Sequence, residues 1–211
     1  MLRLGLVPLL LLGSLVAQSE SFGTQRTEFT TWTSTSFGPN GHAFGFSENR
    51  SLYLSGIRYG WTIAHWNKLG GMNLRYQPEI IPAAYLRDRV FGGVPVALDR
   101  FVLPNKASDR YAYGFGGNPV GLKMNFRRGK RFQPLWDVQG GFLYFNRDVL
   151  NVGGSHFQFT IASGPGAQIF LTRSTALTVG YHYHHLSNAN ISEHNAGVDT
   201  HQLSFSFSLF R

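Results

Sequence analysis

Residues 203–209 read Leu-Ser-Phe-Ser-Phe-Ser-Leu, and this stretch decides the fold class. Successive side chains of a β-strand point to opposite faces, so every large apolar side chain here falls on one face and only serines fall on the other. A strand of a soluble sandwich tends to carry charges on its polar face. A strand of a membrane barrel turns its apolar face to lipid and its small polar residues to the interior. Alternation with serine alone therefore favours a membrane barrel.

The same alternation recurs through the chain, with charged residues falling opposite the large aromatic ones. It is clear in the segments 57–63, 72–77, 120–126, 136–144, 157–162 and 177–184, and weaker near the first strand. Together these segments predict eight strands, at 26–35, 51–64, 70–83, 117–127, 133–146, 155–171, 175–187 and 199–210. An even number of strands suits a closed antiparallel barrel. We predict an all-β fold, an eight-stranded antiparallel transmembrane β-barrel.

The predicted connections alternate between short and long. Short ones lie near 65–69, 128–132 and 172–174, whereas the connections near 36–50 and 84–116 are long. Outer-membrane barrels have short periplasmic turns and longer extracellular loops. We therefore place the N-terminus and the short turns on the periplasmic side.

The N-terminus has the pattern of a secretory leader. Arg3 precedes an apolar run from Leu4 to Val16, and small residues follow at Ala17 and Ser19. The run is too short for a spanning helix with these flanks. We expect residues 1–19 to be a signal peptide and residues 20–211 to form one outer-membrane barrel domain. An uncleaved anchor helix is the alternative, and export follows in either case.

Composition excludes several classes of function. The chain has no cysteine, which rules out disulfides, a lipoprotein anchor and cysteine-based catalysis. Its formal net charge of +8 suits an anionic partner such as phosphate or an acidic membrane. A nucleic-acid-binding domain concentrates its charge on one face or helix, whereas here only residues 127–131 form a cluster, at a predicted turn. We expect a solvated turn or a contact with lipid phosphates there, and no nucleic-acid partner.

Other aromatic and titratable residues have simpler interpretations. The four tryptophans are interpreted as membrane-interface anchors: Trp32, Trp61, Trp66 and Trp136. His182 and His184 face inward by alternation. A metal site that joins them to His194 is disfavoured, because the side on which the two strand residues point and the loop position of His194 do not bring the three together. The remaining histidines, His201 among them, are isolated, and loop or interior roles suffice for them. Glu79 belongs to the interior or the rim.

The segment from Tyr181 to Ala189 carries the candidate chemistry. His185 and Ser187 continue the outward row of the seventh strand, just beyond its aromatic residues. Asp199 begins the next strand and, by alternation with Leu203 and Phe205, also points outward. Alternate residues of a strand are about 7 Å apart at Cα, so an imidazole and a hydroxyl there can reach each other. A carboxylate from the adjacent strand can orient the imidazole. These are the residue types of a base, a nucleophile and an orienting acid.

Residues 185–199 read His-Leu-Ser-Asn-Ala-Asn-Ile-Ser-Glu-His-Asn-Ala-Gly-Val-Asp. This segment resembles the signature of the PagL-type lipid A 3-O-deacylases, also called acyloxyacyl hydrolases. That signature is His-x-Ser-Asn, then Asn-x-Gly, a hydrophobic residue and an acid fourteen residues after the His. Matching positions are His185, Ser187, Asn188, Asn195, Gly197 and Asp199. The best-known members carry Glu where this chain has Asp199, which is one methylene shorter.

The resemblance implies a serine esterase of the bacterial outer membrane that removes the acyl chain at the 3-position of lipid A in lipopolysaccharide. It implies that His185 is the base, Ser187 the nucleophile and Asp199 the orienting acid, with Asn188 at the oxyanion site. We expect no metal and no organic cofactor, because a lipid-facing groove can hold the acyl chain. A non-catalytic structural barrel would explain the strands but not the outward polar trio. A phospholipase or acyltransferase that acts on another membrane lipid stays open.

Overall fold

The computed structural model describes residues 21–37, 50–68, 70–91, 107–150, 154–192 and 197–211. The expected signal peptide at residues 1–19 lies outside these ranges. The described residues form nine strands: β1 (Thr27–Ser36), β2 (Ser51–Trp66), β3 (Met72–Tyr76), β4 (Glu79–Phe91), β5 (Ala107–Phe126), β6 (Phe132–Val149), β7 (Ser155–Phe170), β8 (Thr175–Ser187) and β9 (Val198–Phe210). Within these ranges no helix has the length and apolar character needed to span a membrane.

The strands close into one antiparallel ring. Its order is β1-β9-β8-β7-β6-β5, then β3 and β4, then β2, which pairs back with β1. β3 and β4 together fill one position, because each pairs with β2 on one side and with β5 on the other. The ring therefore has eight positions, and the predicted eight-stranded barrel is confirmed.

The third position is interrupted, whereas the sequence predicted one strand over 70–83. β3 ends at Tyr76 and β4 begins at Glu79, with Gln77 and Pro78 between them. Pro78 has no N–H to donate to the ladder, so the break falls where a regular strand would lose a hydrogen bond. The carbonyl of Pro78 still accepts from the N–H of Tyr59 at 3.3 Å, which keeps the wall closed.

The predicted loop over 84–116 is wrong for much of its length. β4 continues to Phe91 and β5 begins at Ala107, so the hairpin extends well past the predicted ends. Its outward tyrosines form a ladder, with the ring of Tyr85 5.8 Å from Tyr111 and 5.2 Å from Tyr113. The glycines after Tyr113 lie within β5, where Gly116 allows a close approach to the neighbouring strand. A Cβ on Gly116 would lie 2.0 Å from the carbonyl oxygen of Phe142.

The outer wall of the barrel is apolar, as a membrane barrel requires, and the interior holds buried polar and charged side chains together with a buried apolar cluster towards the long-loop end. Outward side chains of β8 and β9 are 40–48% exposed: Leu177, Val179, Phe205, Phe207 and Leu209. Trp66 and Trp136 are also exposed, but the predicted anchor role of Trp32 is wrong. Even-numbered residues of β1 face inward, so Trp32 is buried, with the guanidinium of Arg58 4.8 Å from its ring centroid.

The buried charges of the interior lie in two compensated groups. Lys123 Nζ lies 2.6 Å from Glu28 Oε1, and Arg75 Nε lies 3.6 Å from Glu28 Oε2. In the second group Arg58 binds Glu79 directly and lies 3.6 Å from Asp137, which also binds His182. Buried charges are tolerated when they are paired and hydrogen-bonded, so both groups are expected to stabilise this one arrangement of the ring.

Replacing Glu28 by glutamine tests the first group. The side chain keeps its shape but leaves two buried cations without their counter-charge, so we expect the free energy of unfolding to fall by about 3–5 kcal/mol. Urea titration of the refolded barrel in lipid vesicles measures this. Asp148→Asn is the matched control, because the side chain of Asp148 is 46% exposed and its contact with His156 should contribute less than about 1 kcal/mol. Equal effects of the two substitutions would contradict the prediction.

Candidate active site

The strand register places His185 of β8 directly opposite Asp199 of β9. Nδ1 of His185 lies 2.7 Å from Oδ1 of Asp199, which is hydrogen-bonding distance. The side chain of Asp199 is fully buried and that of His185 is 20% exposed. The structure thus brings together the two residues that the sequence predicted as base and orienting acid.

This contact bears on the departure from the family signature. A glutamate is one methylene longer than an aspartate, so a looser or water-mediated contact was conceivable at Asp199. Opposite residues of an antiparallel pair have Cβ atoms only about 4.5–5.5 Å apart. The shorter carboxylate therefore reaches the imidazole of His185 directly.

Ser187 shares the outward row with His185. In the pairing of β7 with β8, Ser187 lies opposite Phe159 and His185 opposite Ile161. Phe159 and Ile161 are 44% and 52% exposed on the outer surface, so both polar residues face the same way as these lipid-facing side chains. The row ends at the long-loop rim of the barrel, because β8 leads into the connection over 188–197.

Asn188 begins the turn that follows Ser187. Its side chain is buried, its Oδ1 accepts from the backbone N–H of Asn190 at 2.9 Å, and its Nδ2 donates to Ser192 Oγ. Ala189 and Asn190 have positive φ angles of 51° and 62°, so the chain reverses sharply here. The Asn188 side chain thus holds the turn beside Ser187, and its role at an oxyanion site stays a prediction.

The histidines that precede the site face the interior. His182 donates through Nε2 to the carboxylate of Asp137, and His184 is 4% exposed. Within the described ranges no cluster of three or more His, Cys, Asp or Glu side chains is placed to hold a metal ion. His194 and Asn195 lie outside those ranges.

His201 is a neighbour of the site that sequence reasoning missed. The sequence assigned it an isolated loop or interior role, but the register places it opposite Tyr183 on the outward face. Its Nδ1 lies 2.7 Å from the hydroxyl oxygen of Tyr181. Residues two apart in a strand point to the same face, so the alternation that places Asp199 on the outer face also places His201 there. The outward position of His201 could therefore have been predicted from the sequence.

Two solved structures of outer-membrane proteins are similar to this chain. The structure of the outer membrane enzyme PagL is similar, with 15% identity over 85% of this chain and 97% of that chain and a TM-score of 0.54. The outer membrane protein OprG from Pseudomonas aeruginosa has 10% identity over 88% of this chain and 95% of that chain, with a TM-score of 0.41. At these identities the likeness to PagL shows the fold alone.

No curated protein sequence was found to match the chain. The family model described as Lipid A 3-O-deacylase (PagL) matches residues 55–208, which include β2 to β9 almost entirely and the contact of His185 with Asp199. Because this match covers more than two thirds of the 211 residues, the chain belongs to the lipid A 3-O-deacylase (PagL) family of outer-membrane enzymes.

Proposed function

We propose that this protein is an outer-membrane serine esterase that hydrolyses the acyl ester at the 3-position of lipid A. His185, Ser187 and Asp199 are the proposed triad. The observation that carries the proposal is the 2.7 Å contact of His185 with Asp199 on the outward rim, on the same face as Ser187. Polar groups on a lipid-facing surface are costly unless they have a partner, and a reacting ester in the outer leaflet is such a partner.

The contact with Asp199 supports a separate role for each imidazole nitrogen of His185. If Nδ1 of His185 carries the hydrogen and donates to the carboxylate, Nε2 is left with a lone pair and can act as a base. Nε2 takes the proton of Ser187 while Oγ attacks the ester carbonyl carbon. The resulting imidazolium is stabilised by the buried carboxylate.

Collapse of the tetrahedral intermediate breaks the bond between the acyl carbon and the sugar oxygen. His185 returns its proton to that oxygen, and the acyl chain remains on Ser187 as an ester. A water molecule then attacks the acyl-enzyme with His185 again as the base, which releases the fatty acid and restores the serine. Hydrogen-bond donors at or near Asn188 would hold the oxyanion, each contributing about 3–4 kcal/mol. No cofactor enters this sequence of steps.

The exposed apolar row gives the acyl chain a path along the barrel wall. Beside the site the outer surface carries Phe159 and Ile161, and further along the wall towards the periplasmic end it carries Val179, each at least 44% exposed. A substrate that stays in the leaflet can reach Ser187 sideways, with its acyl chain on these residues and its sugars at the rim. The expected signal peptide at residues 1–19 would export the chain to the bacterial outer membrane, where this substrate resides.

Mass spectrometry of lipids incubated with the purified, refolded protein tests the proposal. We expect lipid A to lose its 3-linked acyl chain, with the matching free fatty acid released and phospholipids unchanged. Fatty acid released from phospholipid instead would indicate a phospholipase, and an acyl chain moved to another lipid would indicate an acyltransferase. Lipids that stay intact would favour a structural barrel.

A further inference from the structure

A second polar side chain faces lipid beside the proposed triad. His201 follows Asp199 by two residues in β9, and its chain neighbours Thr200 and Gln202 are 0% and 3% exposed in the interior. Alternation therefore places His201 on the outer wall. β9 runs from the long-loop rim towards the periplasmic end, so His201 lies about 7 Å further along the strand than Asp199, in the direction of the middle of the membrane.

The imidazole of His201 is held by three aromatic rings. Tyr181 stacks on it at 5.9 Å between centroids, Tyr183 meets it edge-on at 5.8 Å, and Phe37 lies 6.3 Å away. The backbone N–H of Phe37 also donates to the carbonyl of His201 at 2.9 Å. The orientation of the ring is thus set before any ligand binds, which lowers the entropy lost on binding.

Among the described residues, one ring nitrogen of His201 has a hydrogen-bond partner and the other has none. The hydroxyl of Tyr181 lies 2.7 Å from Nδ1, and with the phenol as donor to Nδ1 the hydrogen of the neutral ring is on Nε2. Within the described residues Nε2–H has no hydrogen-bond partner, and the ring is partly exposed on the lipid-facing wall. An N–H group without an acceptor is costly in hydrocarbon, so a lipid oxygen is the partner that fits.

We propose that His201 is a substrate-binding residue whose Nε2–H donates a hydrogen bond to a carbonyl oxygen of a second acyl chain of the same lipid A molecule. The inference rests on the proposed function for the identity of the lipid. The depth of His201 in the membrane decides which lipid oxygen can accept its hydrogen bond. Phosphates lie at or above the level of the sugars, whereas His201 lies below the ester that Ser187 would attack. An acyl-chain carbonyl is the hydrogen-bond acceptor that a lipid carries below its sugars.

Binding of lipid A to the Ser187→Ala protein tests the inference without turnover. His201→Phe keeps an aromatic ring in the cage but removes Nε2–H, and we expect the Kd for lipid A in detergent micelles to rise about tenfold, as the loss of one hydrogen bond predicts. His201→Gln retains a donor and should recover most of the affinity. His65→Phe is the matched control, because His65 is exposed near the short turn at the opposite end of the barrel.

The variants should keep the heat-dependent electrophoretic shift of a folded barrel. In the active protein, His201→Phe should raise KM by the same factor and leave kcat within about twofold. An unchanged Kd, or a fall in kcat without a change in KM, would overturn the inference. A loss of affinity that occurs only when phospholipid is added to the micelles would also overturn it, because the acceptor would then belong to a neighbouring lipid. A wild-type protein that binds lipid A but releases no fatty acid would refute the proposed function alone.

Discussion

Ser187→Ala protein is expected to release fatty acid from lipopolysaccharide at least about a thousandfold more slowly than the wild type. The substitution removes the proposed nucleophile and little else, since Ser187 lies at the outward rim where β8 ends. Its chain neighbours cannot replace it, because Leu186 is apolar and Asn188 is buried in the turn. Quantifying 3-linked acyl chains on lipid A by mass spectrometry measures the rate.

Ser206→Ala provides the control for this experiment. Ser206 lies in β9 opposite Thr178, between the outward residues Phe205 and Phe207, so it faces the interior far from the rim. We expect this variant to keep wild-type activity. Full activity in the Ser187 variant would refute the triad, and equal losses in both variants would show that any serine-to-alanine change in this wall impairs the barrel.

Asp199→Asn should lower kcat by about 10²–10⁴-fold with a smaller effect on KM. The amide is nearly isosteric, so the buried position opposite His185 should accept it. An amide N–H directed at Nδ1 would favour the tautomer with its hydrogen on Nε2, and that tautomer cannot accept the proton of Ser187. Steady-state kinetics on purified lipid A measure the change.

Asp199→Glu separates charge from length at the same site. It retains the carboxylate and introduces the residue that the best-known family members carry. Because Asp199 is fully buried and already contacts His185 at 2.7 Å, the extra methylene must be accommodated by a shift of the strands or the imidazole. We expect activity between those of the wild type and the asparagine variant. If the Asp199→Asn variant were as active as the wild type, the carboxylate would not be what orients His185.

The class of fold could be predicted from alternation because the bilayer leaves few alternatives. A backbone in hydrocarbon must satisfy its own hydrogen bonds, so strands there have to close into a barrel. The stretch from Leu203 to Leu209 carries that pattern most clearly, and Phe205, Phe207 and Leu209 on its outward face are exposed as expected. Outward parity at His185, Ser187 and Asp199 follows from the same alternation.

Strand ends and individual side-chain roles were harder to predict. The pattern near Tyr113 contains several glycines and was interpreted as a loop, although close approach to β6 is what requires Gly116. Trp32 was assigned to the membrane interface because tryptophan is common there. Trp32 is buried because the even-numbered residues of β1 face the interior. Threonines occur on both faces of this strand, so the sequence does not show which face is the inner one.

The sequence alone determined the closed barrel, its apolar outer wall and the side on which the polar trio lies, because these depend only on the two-residue period of a strand. The tertiary structure alone decided that His185 lies opposite Asp199 and that Tyr181, Tyr183 and Phe37 enclose His201. Register between strands depends on the length and path of the connecting loop and on the neighbouring pairs. A shift of two residues in the pairing of β8 with β9 would leave every side chain on the same face of the sheet. It would nevertheless separate the imidazole of His185 from the carboxylate of Asp199.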